Sequence, residues 1–272
     1  MGLRVNSNLY STGAQRNLSN VSARLGGNFA RLSSGLRIAS ASDDAAGLGI
    51  SERMRAQVRS LQQAGRNASD GVSLVQTAEG SLNELNGNLV RMRELAIQSS
   101  NGTLNTGDRT VIQEEFAALI AEIDRVAAQT TFNGVNILDG STTSLSIQVG
   151  TESGETIDIA FEDMQSAALG LSGVDISDVS GAQAALDLID TAVDSVSSLR
   201  GGLGSSQNRI SSTIRSIAVA AENLASAESR IRDVDIAVET ADLTRNSILQ
   251  QAAVSVLAQA NVQPQLALSL LG

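Results

Sequence analysis

SLVQTAEGSLNELNGNLVRMRELAIQ, residues 73–98, is the stretch that decides the fold of this 272-residue chain. Alternating spacings of three and four residues separate its apolar positions Val75, Ala78, Leu82, Leu85, Leu89, Met92 and Ala96. Such spacing places one apolar seam along a helix, as in a coiled coil. The stretch therefore predicts a long helix whose seam is covered by another helix.

The same seam continues upstream, so the predicted helix runs from about Asp43 to Gln98. Ser42 is its predicted N-cap, with Asp43 and Asp44 in the first turn, where the helix dipole favours carboxylates. Capping explains these acids better than metal binding does, since no third ligand lies nearby. Such a helix is about 80 Å long at about 1.5 Å per residue, so it needs a partner along its whole length. The simplest partner is the C-terminal half of the chain, running antiparallel.

Helical spacing of apolar residues also marks several other segments of the chain. Polar residues interrupt their seams at Asn28, Glu228 and Asp235. The segments are residues 14–32, 112–126, 179–196, 210–238 and 249–270. Together with the long helix, they predict a mainly helical chain.

Between about residues 135 and 165 the period changes to two. Leu145, Ile147 and Val149 alternate with polar residues, and so do Ile157, Ile159 and Phe161 around a turn at residues 150–154. This pattern predicts a β-hairpin. We therefore expect a mainly α fold, a long antiparallel helical coiled-coil rod formed by the two halves of the chain, with a small β-hairpin region in its middle.

Two domains are expected on this basis. The terminal helices, residues 1–42 and 236–272, form one domain. Residues 43–235 form a rod domain of long helices that carries the hairpin.

The composition excludes most catalytic chemistry. The chain has no cysteine, histidine, tryptophan or lysine, so all 19 basic residues are arginines. Zinc sites of the usual kind, serine or cysteine nucleophiles activated by histidine, Schiff-base lysines and P-loop lysines are therefore absent. We expect no metal, no cofactor and no enzymatic activity.

Charge and hydropathy argue against nucleic acid and membrane as partners. The formal net charge is −10, and residues 133–199 contain no basic residue. The arginines of the first 66 residues are spread singly, and aromatic residues for base stacking make up only 2% of the chain. No window approaches 18 consecutive apolar residues, and no apolar run near the start indicates a Sec-type signal peptide.

Several long motifs resemble those of bacterial flagellin, in the family's order. The N-terminal ones are AQRNL (14–18), RLSSGLRIASASDDAAGLGISERMRAQ (31–57), RNASDGVSLVQTAEGSLNE (66–84), RMRELAIQ (91–98) and TTFNGVNILDG (130–140). The C-terminal ones are LGSSQNRISSTI (203–214), ENLASAESRIRDVDIA (222–237), LTRNSILQQA (243–252) and LAQANVQPQLALSLL (257–271). Only about 60 residues stand where many flagellins insert variable outer domains, so the chain resembles a short flagellin.

The resemblance implies a structural subunit that polymerises into the flagellar filament and transmits motor torque for swimming. It implies an extracellular location reached through the flagellar type III export apparatus. The implied partners are other copies of the chain, an export chaperone, the filament cap protein and the hook–filament junction protein. A host Toll-like receptor that senses flagellin is a further implied partner.

The resemblance also assigns residues to two surfaces. The segment matching the family's Arg-x-Arg-Glu-Leu motif packs against a neighbouring subunit and is the surface recognised by the receptor. Its positions here are Arg91, Arg93, Glu94, Leu95 and Gln98, with Glu115 on the next helix. Without a functional role, the same residues would form the ordinary surface of an amphipathic helix, with Leu95 partly buried. The implied inner-tube assembly residues are Leu18, Val21, Leu25, Leu32, Leu249, Val256, Leu266 and Leu270.

Three alternatives stay open at this point. A hook–filament junction protein shares the terminal motifs but has a different middle region. A secreted carboxylate hydrolase needs two acids converging in a cleft, whereas the acids here are scattered over helical faces. A coiled coil of unrelated origin explains the heptads but not the ordered motifs.

Overall fold

The structure is a computed structural model that describes the backbone of residues 7–269 and the side chains of residues 7–265. Five helices dominate this part of the chain: α1 (Leu9–Ser34), α2 (Ala45–Ser99), α3 (Thr106–Gln129), α4 (Val179–Arg232) and α5 (Ile236–Ser269). Four short strands lie between α3 and α4: β1 (Thr131–Phe132), β2 (Val135–Asn136), β3 (Ser144–Gln148) and β4 (Thr156–Ala160). The predicted mainly α class with a small antiparallel β region is confirmed.

Two compact units divide the chain. Unit 1 combines the described residues up to Ala56 with those from Asn223 onward, and unit 2 is Gln57–Glu222. Because these boundaries fall inside α2 and α4, each unit takes part of both helices.

Unit 2 has a continuous apolar core built from the seams of α2, α3 and α4. In α2 the seam is fully buried from Val75 to Ala96 and half-buried at upstream positions such as Val58. Helix α3 contributes Phe116 and Ile123. The ion pairs Arg93–Asp190 and Glu79–Arg200 show that α4 runs antiparallel to α2. Full burial of an aliphatic or aromatic side chain stabilises by about 1.5–3 kcal/mol, so this seam holds the three helices together.

The predicted hairpin is confirmed as β3 and β4. Leu145 faces Ile159 and Ile147 faces Ile157 in the antiparallel register. The hairpin packs on α2 at Gly71, where an added Cβ would come within 3.2 Å of Ile147 Cγ1. A glycine at this point of the helix therefore allows the strand to approach closely.

A second, smaller hairpin, β1–β2, was not predicted. Thr131 faces Asn136 across an antiparallel pair. Asn133 and Gly134 form its turn with φ of 50° and 78°, and two positive φ angles are typical of a two-residue hairpin turn. The Asn-Gly pair was the signal in the sequence that could have revealed it.

The start of α2 differs from the prediction, and Ser42 is not its N-cap. The helix begins at Ala45, and Asp44 Oδ1 accepts a hydrogen bond from the Gly47 backbone N–H at 2.9 Å. Asp43 instead closes the preceding turn, because its carboxylate accepts bonds from the Ser40 backbone and hydroxyl. The backbone bond from Ser40, followed by the hydroxyl bond, lowers the pKa of Asp43. Asp44 thus takes the capping role, because its carboxylate reaches the orphan N–H of the first turn.

In unit 1, α1 and α5 pair antiparallel. Asn8 Nδ2 donates to the Ala260 carbonyl at 2.7 Å near one end of the pair, and Arg31 Nε donates to Glu239 Oε1 at 2.9 Å near the other. A short antiparallel bridge between Leu36 and Asp233 follows.

Candidate assembly surfaces

The first candidate surface lies where α2 meets α3 and is centred on Arg91. Its guanidinium donates to Glu115 Oε1 from Nε at 2.9 Å and from Nη2 at 2.8 Å, and to Glu94 Oε2 from Nη1 at 2.9 Å. The hydrogen bond with Glu94, followed by that with Glu115, raises the pKa of Arg91. All three side chains are about half exposed, so the cluster presents an ordered, charged patch to the outside of unit 2.

Arg93 lies apart from that patch, although it is two residues away. Its Nε and Nη2 donate to the two carboxylate oxygens of Asp190 on α4, at 2.7 and 3.3 Å. The bond from Arg93 lowers the pKa of Asp190. Asp190 had no signal in the sequence, because the pairing depends on the register between α2 and α4.

Leu95 and Gln98 are also separated by the structure. Leu95 is 1% exposed and belongs to the core of unit 2, so it is fully rather than partly buried. Gln98 is exposed near the end of α2. Of the six residues assigned to this surface from the sequence, Glu94 and Glu115 both contact Arg91, while Leu95 belongs to the core.

The second candidate surface is formed by α1 and α5. Leu18, Val21, Leu25 and Leu32 are half-buried on α1, whereas Leu249 and Val256 on α5 are exposed. The Leu266 side chain and all of Leu270 lie outside the described part of the chain.

Other large apolar side chains on these two helices are exposed as well, and the sequence analysis missed them. Ile248, for example, is 61% exposed and Val254 52% exposed. Except for Val238, the last seam position of residues 210–238, they fall outside the seam positions, so a search for heptads passes over them. The set comprises Leu9, Tyr10, Phe29, Ile236, Val238, Ile248, Val254 and Val262. Burial of each against a neighbour would contribute up to about 1.5–3 kcal/mol, so covering these side chains would favour association.

Polar side chains occupy much of the interface between α1 and α5 instead. The buried residues of the pair include Ser11, Asn28, Glu239 and Asn246. The buried apolar ones among the described side chains of α1 and α5 are Ala14 and Ala260.

Two open hollows adjoin the turn of the β3–β4 hairpin, with volumes of about 320 and 370 Å³. Leu61, Val149 and Ile217 line the first, with Glu155 as its acid, and Glu152 is the acid of the second. Neither hollow has the paired carboxylates that glycoside hydrolysis requires.

Within residues 7–265, no group of three or more Asp, Glu, His or Cys side chains is placed to hold a metal ion. Nor does any helix in the described backbone have the length and apolar character needed to cross a membrane.

Comparisons with known protein families match most of the chain. Residues 5–143 match the family model described as bacterial flagellin N-terminal helical region, and residues 186–271 match that of the bacterial flagellin C-terminal helical region.

Full-length relatives agree with these matches. The chain is 48% identical over 270 residues to a flagellin of Halalkalibacterium halodurans, covering 98% of this chain and 99% of the relative. It is 42% identical over 304 residues to a flagellin of Bacillus subtilis, covering 99% of this chain and 100% of the relative.

Among solved structures, the crystal structure of Bacillus cereus flagellin is similar, with a TM-score of 0.52 and 32% identity over 60% of this chain and 94% of that one. A putative flagellar hook-associated protein from Vibrio parahaemolyticus shares the fold, with a TM-score of 0.60 at 15% identity, over 70% of this chain and 100% of that one.

Proposed function

This chain belongs to the bacterial flagellin family, and from that premise we propose how it uses the two surfaces as a structural subunit of the flagellar filament. The subunit polymerises with copies of itself and is not an enzyme. A hook–filament junction protein and a secreted carboxylate hydrolase are not favoured, because named flagellins match the chain over its whole length.

The terminal helices are the proposed inner-tube domain, residues 1–42 with 236–272, and residues 43–235 are the proposed outer rod domain. One observation carries this division of roles. The α1/α5 pair leaves large apolar side chains such as Ile248 and Val256 exposed, whereas unit 2 encloses its own apolar seam. Apolar faces that a chain cannot cover by itself favour burial against neighbouring copies.

Seeded growth of filaments tests the inner-tube proposal. Ile248→Asp and Val256→Asp place a charge where an apolar contact is proposed, so each should abolish elongation from filament seeds. Thr151→Asp adds the same charge at the exposed hairpin turn and should leave elongation unchanged. The readout is filament length by electron microscopy, with the unfolding midpoint of unit 2 as the control for folding. Normal elongation of Ile248→Asp and Val256→Asp would contradict the proposal.

The patch of Arg91, Glu94 and Glu115 is the proposed packing surface of the outer domain, with Arg93 and Gln98 flanking it. Its support is geometric, since two carboxylates hold the Arg91 guanidinium in one orientation while leaving it accessible. Charge-assisted bonds of this kind give direction to a contact more than energy at an exposed site.

The same patch is the proposed site for a flagellin-sensing Toll-like receptor. Monomeric chain should activate reporter cells that carry such a receptor, and Arg91→Ala should reduce the response. Arg125→Ala is the matched control, because Arg125 also pairs with a carboxylate, Glu122, on an exposed helix surface. An equal response to both variants would assign receptor binding elsewhere, and no response to the unaltered chain would end the proposal.

Flagellins form the flagellar filament, which lies outside the cell. We propose that this chain reaches it through the flagellar type III apparatus, with an export chaperone on its apolar C-terminal segment. The cap protein then guides folding at the tip, and the junction protein joins the filament to the hook. Loss of the chain from the culture medium in a strain that lacks the export apparatus is the expected result.

A further inference from the structure

A buried polar layer crosses the α1/α5 pair. Asn28 on α1 is 2% exposed, and Glu239 and Asn246 on α5 are 8% and 9% exposed. Asn28 Nδ2 donates to Glu239 Oε1 at 2.5 Å, and Asn28 Oδ1 accepts from Asn246 Nδ2 at 2.8 Å. Arg31 donates to the same Glu239 oxygen from the edge of the layer. Asn28 thus uses both ends of its amide, one on each polar residue of α5.

Near the other end of the pair, the hydroxyl of buried Ser11 donates to Asn261 Oδ1 at 2.7 Å and adds to the register. The apolar part of the seam does not distinguish one register from another. On α1 it consists of Ala14, Leu18, Val21, Leu25 and Leu32, small or aliphatic residues at heptad spacing. A slide of seven residues places such a seam against equivalent positions, so its apolar contacts change little. The exposed apolar residues of both helices make the pairing less specific still, because they also attract neighbouring copies.

The polar layer does distinguish the registers. Glu239 and Asn246 lie seven residues apart on α5, and Asn28 lies between them. A slide of one heptad in one direction places Asn246 opposite Val21, and a slide in the other removes Glu239 from both Asn28 and Arg31. Either slide leaves a buried polar group without its partner, which is costly.

We propose that Asn28, Glu239 and Asn246 determine the specificity of α1/α5 pairing, fixing its register and its partner as the subunit joins the filament. The surrounding apolar side chains supply attraction between subunits, and the polar layer selects which pairing that attraction stabilises. This inference rests on the proposed inner-tube role of the two helices. A single buried asparagine that fixes register in a coiled coil acts on the same physical principle.

Because the chain contains no cysteine, introduced cysteine pairs report the register directly. The Ser22 hydroxyl and the Gln250 amide are 3.4 Å apart, so Ser22→Cys with Gln250→Cys reports the register of the structure. Ser22→Cys with Leu243→Cys, or with Leu257→Cys, reports slides of one heptad. Each pair is linked by a short bifunctional thiol reagent, because the Ser22–Gln250 contact runs through the end of a long side chain and does not set the Cβ spacing that a disulfide requires. The reaction uses full-length chain after growth from filament seeds, and links within and between chains are separated by peptide mapping.

With the polar layer intact, the in-register pair should cross-link within the chain at least about tenfold more than either shifted pair. With Asn28→Leu, Glu239→Leu and Asn246→Leu combined, the shifted pairs or links between chains should rise to roughly the level of the in-register pair. An apolar layer preserves burial, so helical content by circular dichroism should persist. Glu239→Gln, which keeps an oxygen that accepts from Asn28, should keep the register.

Cross-linking of the triple leucine variant only in register would overturn the inference, since the layer would then add nothing to specificity. A different outcome is that the unaltered chain cross-links only in register and yet fails to grow filaments. That result would contradict the proposed function but would still support the role of the layer in fixing the register. Mispairing by Glu239→Gln as extensive as that of the leucine variant would also count against the layer as described.

Discussion

Unit 2 and the α1/α5 pair are both built from antiparallel helices, yet they place their apolar residues oppositely. Unit 2 buries Phe116, Ile123 and the α2 seam from Val75 to Ala96 within itself. The α1/α5 pair instead buries polar residues such as Asn28 and Glu239, and exposes Ile248. The comparison teaches that unit 2 covers its own apolar residues, whereas the α1/α5 pair leaves large apolar side chains open to contact.

The largest difference between unit 2 and the α1/α5 pair is expected in amide hydrogen exchange of the free chain. Seam amides of α2, α3 and α4 should be protected about 10,000-fold or more, as expected for a domain with its own core. Amides of α1 and α5 should exchange nearly freely in the monomer, because helices draw most of their stability from packing and this pair buries few apolar side chains of its own. In the filament both sets should be protected, and equal protection in the monomer would break the comparison.

Truncating one side chain in each region gives the next largest difference. Phe116→Ala should lower the free energy of unfolding of the free chain by about 3–5 kcal/mol, through lost burial and a cavity. Leu249→Ala on α5 should change it by less than about 0.5 kcal/mol, since that side chain is exposed. Urea unfolding followed by circular dichroism measures both, and an equally destabilising Leu249→Ala would show that α5 belongs to the same folding unit.

Glycine-to-alanine changes in two helices test the comparison through effects of about 1 kcal/mol on the free energy of unfolding. An added Cβ meets nothing within 4 Å at Gly201 in α4 or at Gly26 in α1. Gly201→Ala should therefore stabilise the free chain by about 1 kcal/mol through helix propensity. Gly26→Ala should increase helical content without moving the main unfolding transition.

The control for that pair is Gly181→Ala, whose Cβ would collide with the Asp175 backbone oxygen. Gly181→Ala should destabilise the chain. If it stabilised the chain instead, helix propensity alone would account for the effects of Gly201→Ala, Gly26→Ala and Gly181→Ala.

The smallest expected effect is electrostatic and confined to unit 2. Because the bond from Arg93 lowers the pKa of Asp190 below its unfolded value, the folded state favours the carboxylate. The resulting stability is present above about pH 4 and is lost as the pH falls through the folded pKa. Asp190→Asn should make the acid limb of the stability curve shallower, by a small amount for an exposed pair.

Asp187→Asn is the matched control on the same helix, because Asp187 forms no ion pair among the described residues. The measurement is the free energy of unfolding of both variants between pH 2 and 7. Equal changes in the two variants would exclude the Arg93 contact as the cause of the altered pH dependence.

The parts of the fold that depend on periodicity were predictable from the sequence. Heptad residues such as Leu85 identified α2, and the alternation around Ile147 identified the β3–β4 hairpin. The N-cap was wrong because two adjacent acids compete with Ser42, and only geometry shows that Asp44 reaches Gly47. The β1–β2 turn carried a readable Asn-Gly signal that was passed over.

The candidate surfaces were less predictable, because they depend on how separate helices are aligned. Arg93 and Asp190 are 97 residues apart in sequence, and Asn28 and Asn246 are 218 apart. No local pattern encodes such pairs. Asn28 was visible as an interruption of its seam, but its partners follow only once α1 and α5 are placed in register.

The use of arginine alone as the basic residue has a consequence for alkaline surroundings. The cations of the ion pairs in the described part of the chain, including Arg91, Arg93 and Arg232, are all arginines. An ordinary lysine loses its charge near pH 10, whereas arginine keeps it up to about pH 12. No lysine or histidine is present to change charge as the medium becomes basic. These ion pairs therefore persist in strongly alkaline water as they do in neutral water.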